Sequence, residues 1–256
     1  QYAVSASDDH TLKVWDLKRG VEVRCLTGHS DWVRAVTVIP NTSLVISASD
    51  DHTLKIWNIE TGLLESTIDT YADWIRSLVV DPDGRYAISA SDNRSLRVWN
   101  LEDKTLLRSL TGHTGELNAL AFTPDGRFLL SGSADRTVRV WEIHSGTEVC
   151  ALRGHRAAVT AIEITRDGRY AISASADDTL QRWDLSKLSE GAAEIISDSA
   201  YWVKSLAVTA DGRRVVSASE DRTLRIWNIE SNTEERILVG HTDWVNAVVI
   251  SNDGRH

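Results

Sequence analysis

Eight histidines, two cysteines and 37 acidic side chains are the groups with which this sequence could do metal, redox or nucleophilic chemistry. Four of the histidines follow a glycine, at Gly28-His29, Gly112-His113, Gly154-His155 and Gly240-His241. His10 and His52 occupy one slot of a recurring phrase, and His144 and His256 stand alone. None of these spacings, with or without the cysteines, resembles a ligand set, so no metal site is expected. Cys25 and Cys150 are too few for a disulfide framework. They read as small strand or core residues in a reduced, cytoplasmic setting. No Walker sequence or dinucleotide fingerprint occurs, so no cofactor is expected.

The elements that must position these side chains follow from periodicity. Six of the ten tryptophans, Trp15, Trp57, Trp99, Trp141, Trp183 and Trp227, are separated by 42, 42, 42, 42 and 44 residues. Each ends a version of one phrase, SASDDHTLKVW at 5–15, SASDDHTLKIW at 47–57 and SGSADRTVRVW at 131–141 among them. Within it Thr53, Lys55 and Trp57 alternate with Leu54 and Ile56, the period of two that marks a strand. Upstream, a second strand is announced by a tight Asp-Gly turn at Asp83-Gly84, Asp125-Gly126, Asp167-Gly168, Asp211-Gly212 and Asp253-Gly254. In the first full repeat Pro40 and Asn41 form that turn instead. Downstream, Glu60-Thr61-Gly62 or His144-Ser145-Gly146 precedes one more short strand, such as Leu63 to Ile68. Four strands per period of about 42 residues make a propeller blade, and the fold class is all-β.

Composition agrees. Hydrophobic residues are 42% and charged residues 25%, the balance of a globular chain. A formal charge of -9 argues against a phosphate-binding surface, hence against nucleic acid as partner. No apolar run approaches the roughly 20 residues of a membrane span. No export signal opens the chain, and the lack of methionine at any position is expected of a part of a longer protein.

With its Gly-His dipeptides and Trp-Asp at Trp15-Asp16 and Trp183-Asp184, the whole chain resembles the WD-repeat family of β-propellers. Its regularity is similar to the WD-repeat sensor regions of bacterial signalling ATPases of the apoptosome-like kind. Six tryptophan strands give six blades of four antiparallel strands in one domain over 1–256. Five blades run 28–69, 70–111, 112–153, 154–197 and 198–239, and the sixth joins 1–27 to 240–256. Counting supports that closure. Gln1 lies 14 residues before Trp15 as Arg85 lies before Trp99, so Arg255 and His256 overlap Gln1 and Tyr2. The expectation is that Trp244 to Ser251 docks beside the N-terminal strands, which would hide two sheet edges and favour a monomer. A fragment of a seven-bladed or larger ring is the alternative.

The resemblance implies a buried network of His, Ser or Thr, Asp and Trp in each blade. It falls on His29, Ser49, Asp51 and Trp57; on His113, Ser133, Asp135 and Trp141; and on His155, Ser175, Asp177 and Trp183. His241 completes a fourth set with Ser7, Asp9 and Trp15 if the ring closes. Ser, His and Asp together also suit a hydrolase triad. A nucleophile is not needed once per blade, however, so the sets read as structural and no catalytic residue is expected. Two blades break the pattern. Tyr71 and Asn93 replace His and Asp in one, and Ser199 replaces His while Asp221 remains in the other. These two are expected to be the softest.

The resemblance further implies that three slots per blade face the narrow top where partners bind. They hold Trp244, Asn246 and Asp8; Trp32, Arg34 and Asp50; Trp74, Arg76 and Asp92; Glu116, Asn118 and Ala134; Ala158, Thr160 and Ala176; and Trp202, Lys204 and Glu220. The tryptophan-bearing sets are those with an acid in the last slot, an aromatic and charged crescent suited to a protein or peptide that presents Arg or Lys. Alternatively Arg34, Arg76 and Lys204 simply pair with the acid of their own blade. A non-catalytic binding platform leads. An assembly module that oligomerises through its terminal blade is second, and an enzyme using Asp8, Asp50, Asp92 and Glu220 at the funnel mouth is third.

Overall fold

The computed structural model describes residues 2–71, 74–188, 193–197 and 202–250. Two compact units divide the chain, Gln1–Thr111 and Gly112–His256. Their boundary falls where the repeat arithmetic separates one blade, 70–111, from the next.

The first unit holds β1 (Tyr2–Ala6), β2 (Thr11–Asp16) and β3 (Val21–Thr27), then β4 (Val33–Val38), β5 (Leu44–Ser49), β6 (Thr53–Asn58) and β7 (Leu64–Asp69), then β8 (Ile75–Val80), β9 (Tyr86–Ser91), β10 (Leu96–Asn100) and β11 (Thr105–Leu110). The second holds β12 (Leu117–Phe122), β13 (Phe128–Ser133), β14 (Thr137–Glu142) and β15 (Thr147–Arg153), then β16 (Val159–Ile164), β17 (Tyr170–Ser175), β18 (Leu180–Asp184) and β19 (Ala193–Ser197), then β20 (Val203–Val208), β21 (Arg214–Ser219), β22 (Thr223–Asn228) and β23 (Thr233–Val239). Neighbours in sequence pair antiparallel. They give one three-stranded sheet, β1-β2-β3, and five four-stranded sheets. The six blades read from the tryptophan spacing are therefore six sheets. Among the described residues no helix is long and apolar enough to cross a membrane.

Within a unit the sheets stack face to face. Leu12, Val14 and Leu26 of the first sheet pack with Val33, Val45 and Trp57 of the second. Ile46, Leu54 and Ile68 pack with Ile75, Leu78 and Trp99 of the third. In the second unit Val138, Val140 and Leu152 meet Val159, Ile162 and Trp183, and Ile172, Leu180 and Ile196 meet Val203, Leu206 and Trp227. In four of the sheets the second strand, β5, β9, β13 or β17, is covered on both faces, which is why it reads as a small and aliphatic run such as Ala-Ile-Ser-Ala-Ser. At Gly132, where other blades have alanine, an added Cβ would lie 2.6 Å from Val159 Cγ1.

Turn chemistry fixes the register. Gly84, Gly126, Gly168 and Gly212 take φ between 67° and 72°, and in the divergent turn Asn41 takes φ 60°. The turn before each tryptophan strand holds a left-handed residue that is not glycine: His10, His52, Arg94, Arg136, Asp178 and Arg222, with φ from 63° to 71°. In five of the six pairings between third and fourth strands a bulge sits at the tryptophan, as at Ile56/Trp57. In β18–β19 it moves to Leu180/Gln181, at the end of the pair away from the longer connection that follows Trp183.

One expectation requires correction. The segment expected to give the fourth strand of the first sheet is not a strand over the described residues 244–250, and β1-β2-β3 keeps three. The Val245 N–H donates to the Ser219 carbonyl at 3.0 Å and the Val248 N–H to Ser205 Oγ at 3.3 Å. These contacts hold the segment against the preceding sheet of its own unit, as the bond from Val33 N–H to the Ser7 carbonyl holds β4. Its other edge has no ladder, and a ladder is what makes an extended segment a strand. Ser251, Asp253-Gly254, Arg255 and His256 lie outside the described residues.

Candidate functional site

Two constellations follow from this framework, one inside the blades and one at the strand mouths. Inside, the His29 ring reaches Asp51 Oδ2 from Nδ1 at 2.7 Å and Ser47 Oγ from Nε2 at 2.8 Å. The indole N–H of Trp57 donates to the same Ser47 Oγ at 2.9 Å. His113 bridges Asp135 at 2.8 Å and Ser131 at 2.7 Å, with the Trp141 indole on Ser131 at 2.8 Å. His155 bridges Asp177 at 3.3 Å and Ser173 at 2.7 Å, with the Trp183 indole on Ser173 at 2.8 Å.

The serine differs from the one expected. Ser49, Ser133 and Ser175 lie on the same face of the strand but two residues further along. Ser49 Oγ accepts the Asp51 N–H and donates to the Asp31 carbonyl, and so closes the turn. Ser133 and Ser175 likewise accept the N–H of Asp135 and Asp177. The tryptophan lies opposite Val45, Leu129 or Ala171 in the ladder, and its indole reaches only the serine two positions on. In the first sheet the Trp15 indole donates to Ser5, and Asp9 is bonded by Thr11, while Ser7 accepts the Asp9 N–H. His241, in the second unit, is exposed.

The Ser-His-Asp geometry is that of a nucleophile relay, but Ser47 is 0% exposed, as are Ser131 and Ser173. Each hydroxyl also accepts an indole N–H, so no substrate carbonyl can approach it. Burial lowers the pKa of all three imidazoles, against the opposing pull of the aspartates. Burial alone would raise the aspartates. Hydrogen bonds from Thr137, the Thr114 backbone and His113 outweigh it at Asp135 and bring its pKa to about 2. Asp51 and Asp177 are lowered in the same way. The network is therefore a neutral imidazole on an ionised carboxylate.

The two divergent blades keep the indole bond, Trp99 to Ser89 and Trp227 to Ser217, both at 2.9 Å. Arginine, which the sequence reading did not consider, enters the place left by histidine. Arg225 Nη2 lies 2.9 Å from Asp221 Oδ2, and Arg97 Nη1 donates to the Thr70 carbonyl at 2.5 Å. Tyr71 is exposed and Asn93 caps Ser95; Ser199 lies outside the described residues. A basic residue two places before the tryptophan was a visible signal, but intact blades carry it too, as Lys55 and Arg139.

At the strand mouths the expected slots do meet. The Asp50 N–H donates to the Trp32 carbonyl at 2.9 Å, Asp92 to Trp74 at 3.1 Å and Glu220 to Trp202 at 3.2 Å. Trp32, Trp74, Trp202 and Trp244 are 45%, 56%, 46% and 55% exposed. The within-blade pairs form: Arg34 to Asp50 at 2.7 Å, Arg76 to Asp92 at 2.5 Å and Lys204 to Glu220 at 2.9 Å. Arg34 also lies 3.6 Å from Asp8 and stacks over Trp32, 4.4 Å from its centroid. In the first unit these groups line a cleft of about 670 Å³ walled by Asp31, Trp32, Arg34, Asp50, Trp74, Ile75, Arg76 and Asp92. In the slots without tryptophan, Glu116, Asn118 and Ala134 are exposed and Ala158, Thr160 and Ala176 half-buried. Asn118 Nδ2 donates to the Val159 carbonyl and Thr160 Oγ1 to the Val203 carbonyl. Asn246 is exposed beside Trp244.

Among the described residues no group of three or more His, Cys, Asp or Glu side chains could hold a metal. One carboxylate stands apart. Glu163, in β16, lines a small cavity with Arg166, Val208, Thr209 and Ile250, and burial pushes its pKa up to about 7.

Comparison with known proteins completes the description. The WD40 family, described as WD domain, G-beta repeat, matches residues 1–16, 20–58, 62–100, 104–142, 146–184 and 194–228. The chain is 40% identical over 40 residues to nuclear distribution protein PAC1-2 of Postia placenta, covering 16% of this chain and 9% of that protein. It is 50% identical over 44 residues to protein transport protein SEC13 of Mycosarcoma maydis, covering 16% of this chain and 12% of that one. The matches thus span about a tenth of each relative.

Proposed function

We propose that this chain, which belongs to the WD40 repeat family, is a non-catalytic platform that binds a protein or peptide at its tryptophan-bearing strand mouths. The observation that carries this reading is the cleft of the first unit. Two half-exposed indoles and two arginine–aspartate pairs line about 670 Å³, the mix of aromatic and charged anchors from which recognition hot spots are made. Around it Asp8, Asp31, Asp50 and Asp92 outnumber Arg34 and Arg76, which favours a partner presenting Arg or Lys. The absence of a catalytic role is supported by the burial of every serine that contacts a histidine. A cytoplasmic sensor role of the bacterial signalling kind fits the repeat regularity and the two free cysteines.

The test is an array of Lys- and Arg-containing peptides against the parent chain and the Trp32→Ala/Trp74→Ala double variant. Loss of at least about tenfold in affinity for the bound peptides is expected. Unchanged affinity would overturn the assignment of this cleft. A second reading, assembly through the terminal blade, is favoured by the three-stranded first sheet, whose β1 pairs among the described residues with β2 alone. A solution mass that rises with concentration would support it.

A further inference from the structure

The strand mouths of the second unit contain an arrangement that the first does not. Lys204 Nζ lies 5.3 Å from the ring centroid of Trp202 and 4.9 Å from that of Trp244, while Glu220 Oε1 holds it at 2.9 Å. Arg34, by contrast, meets the single indole of Trp32 and bonds Asp50 through both Nε and Nη2. An ammonium between two indole faces is attracted by both ring quadrupoles, and the carboxylate supplies the counter-charge. The backbone fixes both walls: the Glu220 N–H is bonded to the Trp202 carbonyl, and Val245, next to Trp244, to the Ser219 carbonyl. Asp178, Asp221 and Arg222 complete a cleft of about 530 Å³ with Trp202, Glu220 and Trp244. Its walls carry three acids against one arginine, and Arg225 already engages Asp221.

We propose that Trp202, Trp244 and Glu220 form a binding site for an alkylammonium group, and that Lys204 is its internal occupant. A partner's lysine gains the site only by taking the place of Lys204. The flexible four-carbon stem of Lys204 is partly exposed and makes one ionic contact, so it can swing into solvent and leave the two indoles and the carboxylate behind. The inference rests on the reading that this surface faces partners, and it adds a resident competitor to that surface.

The probe is tetramethylammonium chloride, titrated into the full chain against sodium chloride at equal ionic strength and followed by the indole N–H resonances of Trp202 and Trp244. Lys204→Ala is expected to bind the cation at least tenfold more tightly than the parent, and Lys204→Ala/Trp244→Ala is expected to lose that gain. Lys204→Gln, which keeps a polar stem without the charge, gives the same comparison should the alanine variant fold poorly. Equal binding by the parent and both single variants, or a gain that survives removal of Trp244, would overturn the proposal. Because the probe is a small cation, the result is independent of whether the Trp32–Trp74 cleft binds peptides.

Discussion

The His113 blade and the Arg225 blade lie in the same unit and solve one problem in two ways. Both hold an aspartate whose Oδ1 is taken by a threonine two residues on, Thr137 at Asp135 and Thr223 at Asp221. In the first, the remaining oxygen meets a buried neutral imidazole that also organises a serine and an indole. In the second it meets a guanidinium at 2.9 Å that is shared with Glu234 at 2.8 Å. The imidazole ties two strands, their turn and the segment before β12 into one network but can be protonated. The guanidinium ties fewer groups together and keeps its charge throughout. Cohesion and tolerance of acid are thus traded between two repeats of one unit.

The largest test of that contrast is His113→Ala. It leaves Asp135 and Ser131 without their buried partner and should cost about 3 kcal/mol of unfolding free energy at pH 7 by urea titration. The imidazole pKa is depressed in the folded chain, so the stability it confers is full above the unfolded value near 6.5 and is lost as pH falls through the folded value. The deficit of the variant should therefore shrink at pH 5. A deficit that stays constant would mean that folding does not depress the imidazole pKa.

Glu163 gives a charge that neither device compensates. Its folded pKa of about 7 lies above the unfolded value, so stability present in acid is lost as pH rises toward 7. Glu163→Gln should stabilise the chain by about 2 kcal/mol at pH 8 and leave it nearly unchanged at pH 4. No gain at pH 8 would show that the carboxylate is better solvated than its cavity implies. Arg225→Ala is the smallest effect, about 1.5 kcal/mol, because its ion pair is only partly buried. Hydrogen bonds and charge lower the Asp221 pKa despite burial, so this contribution is lost only as acid protonates the carboxylate. The deficit should be equal at pH 7 and pH 5. If it also shrank between those values, the contrast between the two blades would fail.

Much of this was legible in the residues. The tryptophan period places all six sheets, and the Asp83-Gly84 and Pro40-Asn41 turns fall at one position of their blades, where Gly84 and Asn41 both take positive φ. Ser47 was missed for a physical reason. Ser47 and Ser49 share one strand face, and only the reach of the indole distinguishes them. The arginines were missed because the slot of Arg225 also holds Lys55, which donates to Thr67 Oγ1, and Arg139, which pairs with Glu148. The last segment was misread as a strand because alternation records which face is apolar and says nothing of which edge will pair.

The left-handed turn before each tryptophan strand carries a consequence for engineering. His10, His52, Arg94, Arg136, Asp178 and Arg222 share little beyond polarity, yet all six adopt the same conformation. The backbone holds it from outside, since the N–H of each donates to the carbonyl of the serine three residues before it, as His52 does to Ser49. Such a turn is set by its flanks, so its tip is a coding position released from the needs of folding. Three tips per unit can be varied independently, and Asp178 and Arg222 already stand at the wall of the Trp202–Trp244 cleft. A library confined to these tips would vary the wall of that cleft and leave in place the hydrogen bonds that set each turn.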